Sequence, residues 1–563
     1  MIIYDTEVFK YDWVLCWLDT DTRKLHHIEN DKDKLLEFYH YYQNTIWVGY
    51  NSRNYDTYII KSILCGFNPY EMSDWIINKN RKGFEFSRLL NNFPILNYDC
   101  SVGFRSLKEI EAFMGHDIVE TEVDFNIDRK LTPEELKKTI TYCSNDVMET
   151  FEIFVEQAHE YESHIGLIQE FKLPINFINK TKAQLSAEIL EAVPKKRNDE
   201  FNITLPDTIR LGKYEFIKEE FLNWAKTSQD YSQSWKVEVA GVPHIYGFGG
   251  LHGAIPNYVG EGCFLMCDVA SYYPAMMIEY GFLSRNVKNK FKYRQIRDER
   301  IVMKQNKDKR QQPRKIVLNS TFGASKDKYN KLYDPLQANN ICITGQLLLT
   351  DLIEKLENHC QLIQSNTDGI LVKLYDEQDK EKVIGICEEW SKRTRMNLEY
   401  DEYSKVYQRD VNNYLIIDKN GHYKSKGAVV KKLSKLDYHL PIVNKAVVNY
   451  LINGIPVEKT INNCDELMEF QFITKITDKY DYCIHNGKIL SEKVHRCFAS
   501  LDENDGTLYK KHKNKTTFDK TAGTPEHCFI ENSNIIGKKV IDKLDKMWYI
   551  NTAKEKLKDF IGG

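Results

Sequence analysis

Five stretches of the chain carry the clearest apolar patterning. Cys263-Phe264-Leu265-Met266-Cys267 is a run of strand length that ends at Asp268, and Pro274 follows where a first helical turn tolerates it. Leu362 to Val372 reads as a hairpin, with apolar runs on both sides of Asn366-Thr367-Asp368-Gly369. Ile2-Ile3-Tyr4-Asp5-Thr6-Glu7 is a short strand ending in two acids one residue apart, which the two-residue period puts on one face. Ile46 to Asn51 is another strand, followed by Ser52-Arg53-Asn54-Tyr55-Asp56 and a helical pattern from Thr57 to Ile60. Apolar positions at Ile140, Val147, Phe151 and Phe154 mark a helix on which Tyr142 and Asp146 stand one turn apart.

Between these stretches charge changes the pattern. Arg294, Arg297, Arg300 and Lys304 recur near helical spacing, Gln311-Gln312-Pro313 breaks the chain, and a second helix starting at Lys315 puts Lys315, Asn319 and Phe322 on one face. Ile343, Leu347, Leu348, Leu349 and Leu352 predict a helix that backs a sheet. The stretch 167–243 shows helical patterns with interspersed charge and no motif. Tyr246-Gly247-Phe248-Gly249-Gly250 then gives a glycine turn where main chain can approach a phosphate closely.

At 563 residues the chain is too long for one core. No apolar run reaches the roughly 18 residues of a membrane span and the N-terminus lacks a signal-peptide layout, so a cytoplasmic location and no membrane partner are expected. Thirteen cysteines without a Cys-x-x-Cys pair favour reduced core thiols over disulfides or zinc. The net charge of -3 argues against a nucleic-acid partner, but its distribution does not. Lys288 to Lys315 holds twelve basic residues against three acids, and Lys510-Lys511-His512-Lys513-Asn514-Lys515 is a second cluster. Local charge sets the field that a phosphate meets. Isolated basic runs are usually solvated faces, and an isolated acid at a strand end is more often a turn or cap residue.

The order of the motifs shifts that balance. Asp268-Val269-Ala270-Ser271-Tyr272-Tyr273-Pro274, then Lys315 to Gly323, then Ser365-Asn366-Thr367-Asp368-Gly369 resemble the first palm motif, the fingers helix and the palm hairpin of family B DNA polymerases. Asp5 and Glu7, Asn51 to Asp56, and Tyr142 with Asp146 resemble the three motifs of DEDD-type 3'-5' exonucleases. The chain departs from the polymerase pattern at Asn366 and Gly369, where the family has Asp and Ser, at Phe322, where most relatives have Tyr, and at Asn412, in place of a Lys.

The resemblance implies an α/β (α+β) fold, a ribonuclease-H-like exonuclease domain followed by a right-hand polymerase with palm, fingers and thumb. The boundaries it suggests are exonuclease 1–166, connecting region 167–243, palm 244–287 and 324–430, fingers 288–323, and thumb with C-terminal region 431–563. It implies two Mg²⁺ per active site, with Mn²⁺ as substitute, held by Asp268, Val269 and Asp368 for synthesis and by Asp5, Glu7, Asp56 and Asp146 for proofreading, with Tyr142 orienting water. Ser271, Tyr272, Tyr273, Arg300, Lys304, Lys315, Asn319 and Phe322 would meet the nucleotide, Tyr273 excluding a 2'-hydroxyl. Tyr246, Gly249, Gly250, Tyr414, Lys424 and Lys426 would contact DNA.

Expected partners are primer-template DNA and dNTPs, with a helicase, single-strand-binding protein or processivity factor as candidates. The compact length suggests a bacteriophage or mobile-element replicase, acting in the host bacterial cytoplasm if phage-encoded. The gaps between polymerase motifs are too short for the insertions of protein-primed relatives, so an ordinary nucleic-acid primer is expected. Two alternatives stay open: an exonuclease with a degenerate polymerase half, and a nonenzymatic replication-complex scaffold.

Overall fold

A computed structural model of the chain describes residues 1–562. It is mixed α/β and divides into two compact units, each assembled from separate segments. The first comprises Met1–Asn179, Leu433–Ile442 and Ile461–Tyr549; the second comprises Lys180–Lys432, Val443–Thr460 and Ile550–Gly563. The stretch 431–563, read from sequence as a single thumb and tail, is therefore shared between them.

In the first unit, β1 (Ile2–Val8), β2 (Trp13–Asp19), β3 (Lys24–Glu29), β4 (Trp47–Gly49) and β5 (Asn97–Asp99) form a sheet in the order β3-β2-β1-β4-β5. β1 runs antiparallel to β2 and parallel to β4. Ile2, Tyr4 and Val8 enter a core with Leu15, Trp17 and Trp47, so the pleat turns Asp5 and Glu7 to the opposite face. That face is covered by the helix Pro133–Glu156, which begins with Pro133 and a reciprocal cap between Thr132 and Glu135.

The rest of this unit comes from late in the chain. Strands Phe472–Lys475, Val494–Ala499 and Cys528–Ile530 form an antiparallel sheet that packs on the helix Leu107–Met114. Arg496 joins the two and is fully buried. Its guanidinium donates to Gln471 Oε1 (3.1 Å) and to the carbonyls of Ala112 (3.0 Å), His116 (2.8 Å), Glu531 (3.2 Å) and Ser533 (2.8 Å). All five donors of the fork are thereby matched. Burial lowers its pKa to about 10, so it stays charged at neutral pH. Gln471 adds a bond to the Phe113 carbonyl at 3.0 Å.

The second unit is organised by an antiparallel sheet of β6 (Trp235–Val239), β7 (Val242–Tyr246), β8 (His252–Ala254), β9 (Tyr258–Val269), β10 (Cys360–Asn366), β11 (Gly369–Leu374), β12 (Leu398–Asp410), β13 (Asn413–Ile417) and β14 (Tyr423–Lys426). The order is β14-β13-β12-β9-β11-β10-β8-β7-β6. The helix Pro335–Leu356 lies against it, buried along nearly its whole length, as the Leu-rich pattern predicts. The hairpin β6–β7 falls in the stretch where the sequence offered no motif. Its turn is Ala240-Gly241, both at positive φ (52° and 76°), which is the hairpin conformation without the usual Asn-Gly signature.

Two helices, Lys290–Gln305 and Gln311–Lys326, carry the basic run. The second starts four residues before Lys315, so Gln311-Gln312-Pro313 does not break the chain as expected. Pro313 sits in the first turn, where its missing N–H is not needed.

The Arg496 network yields a test of the first unit. Arg496→Met should keep the volume but leave the His116, Glu531 and Ser533 carbonyls and Gln471 Oε1 without their donor, destabilising the chain by on the order of 3–5 kcal/mol. Chemical denaturation monitored by tryptophan fluorescence measures it, and a cost below about 1 kcal/mol would show that water satisfies those carbonyls instead.

Candidate active sites

Two acidic centres emerge, one in each unit. In the first, Asp5 and Glu7 leave β1 beneath the helix that presents Asp146, and carboxylate oxygens of all three lie within 4.8 Å of one another. Burial raises each pKa; the neighbouring acids push Asp5 and Glu7 further, while Lys108 pulls Asp146 back. Hard oxygen donors crowded in this way fit a divalent cation such as Mg²⁺.

Asp56 adjoins that trio without being one of it, and its charge raises the pKa of Asp5 and Glu7. It opens the helix Asp56–Leu64, and its carboxylate accepts the Thr6 N–H (3.2 Å) and hydroxyl (2.6 Å). Burial lifts its pKa to about 7 against those hydrogen bonds. Tyr142 is half-buried one turn before Asp146, with the Lys108 ammonium 4.7 Å from its ring centre.

Lys108 is the residue that sequence reasoning missed. From the first turn of Leu107–Met114 it donates to Asp146 Oδ1 (2.5 Å) and Glu111 Oε1 (3.0 Å). The Lys108–Glu111 pair has a readable helical spacing, but the contact with Asp146 spans 38 residues and leaves no local signal. Burial raises Glu111 to about 8. Lys108 and Asp146 open on a cleft of about 550 Å³ that Glu120 and Tyr142 also line, together with Lys475, Thr477 and Lys493 from late in the chain.

The second centre lies at the strand ends in the middle of the nine-stranded sheet. Asp268 is next to last in β9, paired with Gly369 of β11 on one side and Glu399 of β12 on the other. Asp368 occupies the tip of the β10–β11 hairpin beside Thr367, a non-glycine residue at φ 58°. The tip is clipped to β9, because the Val269 N–H donates to the Asp368 carbonyl at 2.7 Å. Val269 thus joins this corner through its amide.

Both departures from the hairpin motif have local reasons. A Cβ on Gly369 would lie 1.9 Å from Asp268 Oδ1, so the present carboxylate position requires glycine. Asn366 Nδ2 donates to the Val411 carbonyl at 3.3 Å, which a carboxylate could not do. Lys424 Nζ is 3.7 Å from Asp268 Oδ2, and Asp268, Asp368, Tyr414, Lys424 and Lys426 line one cleft of about 350 Å³. Burial raises both aspartate pKa values while Lys424 opposes it.

The remaining candidates separate into those that gather near this cleft and those that do not. Tyr273 and Phe322 meet at 4.2 Å between ring centres, joining the helix Tyr272–Glu279 to the helix Gln311–Lys326. Ser271, at φ 52°, accepts from Arg300 Nη1 at 3.2 Å. Lys304 pairs with Glu399 at 3.4 Å. Lys315 and Asn319 are exposed on the Phe322 helix.

Tyr272 and Tyr246 are core residues instead. Both are buried, with hydroxyls on the Gly345 carbonyl (2.7 Å) and on Thr350 Oγ1 (2.8 Å). Tyr246, expected at DNA, has its side chain packed in the core in this structure. Gly249 has open space where a Cβ would stand, whereas one on Gly250 would lie 2.6 Å from Thr367 Oγ1. Gly250 therefore serves the hairpin tip. Much of the basic run is matched within its own unit, through Arg297–Glu279, Arg314–Glu299 and Lys292–Glu191.

No family model and no curated protein matches the chain. Among solved structures it is similar to the family B DNA polymerase from the hyperthermophilic archaeon Pyrobaculum calidifontis, at 12% identity and a TM-score of 0.43, over 100% of this chain and 78% of that one. So distant a likeness assigns no residue. Among the described residues, no helix is long and apolar enough to cross a membrane.

The raised carboxyl pKa values set a pH dependence. A carboxyl with a raised folded pKa stabilises the fold while protonated and loses that contribution as pH climbs through the folded value; for Asp56 the window runs from 3.8 to about 7. In EDTA the Tm should therefore fall between about pH 4 and pH 7, by on the order of 5 °C, and Mg²⁺ should restore it at the upper end. A Tm that rises over this range in EDTA would contradict the burial of these acids.

Proposed function

We propose that the chain is a DNA-templated DNA polymerase of the family B type with a 3'-5' proofreading exonuclease, replicating phage or mobile-element DNA. The observation that carries this reading is the clip between Val269 and Asp368. It sets two acids at the ends of neighbouring central strands, in a cleft that also receives Lys424 and Lys426. A pair of acids on rigid strands, with lysines nearby and an aromatic contact between two neighbouring helices, suits nucleotidyl transfer.

In the polymerase centre, Asp268 and Asp368 would hold Mg²⁺. When bound, the ions lower the pKa of a primer hydroxyl and neutralise charge on the transferring phosphoryl group. Lys315 and Arg300 would bind the triphosphate, and Lys424 and Lys426 the primer backbone. Tyr273, braced by Phe322, would sit beneath the sugar and exclude a 2'-hydroxyl. In the nuclease centre, Asp5, Glu7 and Asp146 would hold the metal, with Asp56 joining after a side-chain turn away from Thr6. Tyr142 would orient the attacking water, and Lys108 would keep Asp146 ionised beside the scissile phosphate.

An exonuclease with a degenerate polymerase half is the rival suggested by Asn366, Gly369 and Phe322. The fit of Asn366 to Val411 and of Gly369 to Asp268 weighs against it, since both departures are accommodated around the acids.

Primer extension with dNTPs and Mg²⁺ tests the reading. Asp268→Asn should lower extension by about 10³-fold or more and leave 3'-end hydrolysis, while Asp5→Ala with Glu7→Ala should do the reverse. Undiminished synthesis by Asp268→Asn would end the assignment. Gly369→Ser should push the Asp268 carboxylate aside and lower kcat for extension at least tenfold, with little change in primer-template affinity. If that variant extends as well as the unsubstituted chain, Gly369 does not set the aspartate.

A further inference from the structure

The basic stretch Lys510 to Lys515 belongs to the unit of Asp5, Glu7 and Asp146 and not to the unit of Asp268 and Asp368. It belongs to the hairpin of strands Tyr509–His512 and Phe518–Lys520, whose sheet also contains Tyr480–His485. Tyr480 pairs with His512, and the Lys513 N–H donates to the Lys479 carbonyl at 3.0 Å. Lys479 directly follows Thr477 and Asp478, which line the nuclease cleft together with Lys475 and Lys493. The basic loop therefore abuts the cleft wall. From Lys475 to Lys479 is four residues, at most about 14 Å of chain.

Lys475, Lys479, Lys493, Lys513 and Lys515 are all exposed. The acids against them are Glu109, 3.4 Å from Lys475, Asp478, 3.7 Å from Lys493, and Glu120, which accepts from the Lys493 backbone. Ion pairs this exposed contribute little, so a phosphate can displace them. The same hairpin shows two aromatic rings to solvent, Tyr509 (41% exposed) and Phe518 (45%), on one face by its register. Exposed rings interleaved with lysines suit unpaired bases, which stack where a duplex cannot. A cleft of about 550 Å³ has the size of a small-molecule pocket, with room for a nucleotide or two and not for a double helix.

We infer that Lys475 and Lys493, continued by Lys479, Lys513 and Lys515, form a binding track for single-stranded DNA that leads a 3' end to Asp5, Glu7 and Asp146. This rests on the nuclease reading above. It gives the basic cluster near the C-terminus a role in degradation rather than in gripping duplex at the polymerase centre.

The test is the triple variant Lys479→Ala, Lys513→Ala, Lys515→Ala in the full chain. Its KM for hydrolysis of a twelve-nucleotide oligo(dT) should rise about tenfold near physiological salt with kcat little changed, while hydrolysis of a dinucleotide, too short to reach the track, should not respond. Fluorescence anisotropy of the same oligonucleotide in EDTA reads binding without catalysis. Removing three phosphate contacts should reduce the slope of log affinity against log salt by about 2. An equal loss on dinucleotide and oligonucleotide, an unchanged salt slope, or a matching loss of primer-template binding would each overturn the track. Absence of any 3'-end hydrolysis by the unsubstituted chain would remove the nuclease reading alone, because the salt slope would still decide whether the lysines bind single strands.

Discussion

A guanidinium sealed away from water holds the first unit together. Arg496 comes from the late part of the chain, yet its fork closes on carbonyls at the end of the helix Leu107–Met114, a segment almost four hundred residues earlier. Helix ends leave carbonyls without partners, and burying them uncapped is costly. Arg496 and Gln471 supply the caps. The other end of that short helix carries Lys108 to Asp146, so the position of one lysine beside the acidic trio depends on a capping interaction at the far end of its helix.

The second unit solves a different problem, that of bringing like charges to one place. Asp268 and Asp368 repel, and their strands cannot attract them together. Main-chain geometry does so instead. The Val269–Asp368 bond fixes the hairpin tip to β9, Leu251 accepts the Thr367 N–H, and two glycines leave the room required, Gly369 for the Asp268 carboxylate and Gly250 for Thr367. The acids are held by backbone that has no charge to neutralise.

Period-two and helical patterns, with acids at their ends, made the elements around Asp5, Asp146, Asp268 and Asp368 legible before any coordinates. What they could not convey was contact between distant segments. Lys108 carries no motif because its partners are assembled by folding. Tyr246 looked like a ligand residue because a glycine turn follows it, but strand alternation places it inside with Val242 and His244, a pattern present in Val242-Pro243-His244-Ile245-Tyr246 and hidden by the proline. The hairpin β6–β7 escaped for a related reason, since alanine rarely marks a turn with positive φ. The division of residues 431–563 between two units has no local signature at all.

That division bears on the order in which the protein can become itself. The segment Lys180–Lys432 supplies all nine strands of its sheet consecutively, so this layer can condense as soon as it is synthesised. The first unit cannot. Its opening strands emerge early, but the caps of the helix Leu107–Met114 and the lysine-bearing wall of its cleft wait for Gln471 to Arg496. A ribosome thus finishes the centre of Asp268 and Asp368 well before that of Asp5, Glu7 and Asp146, and any chain cut short in between would carry every acid of the latter on a scaffold that has not yet closed.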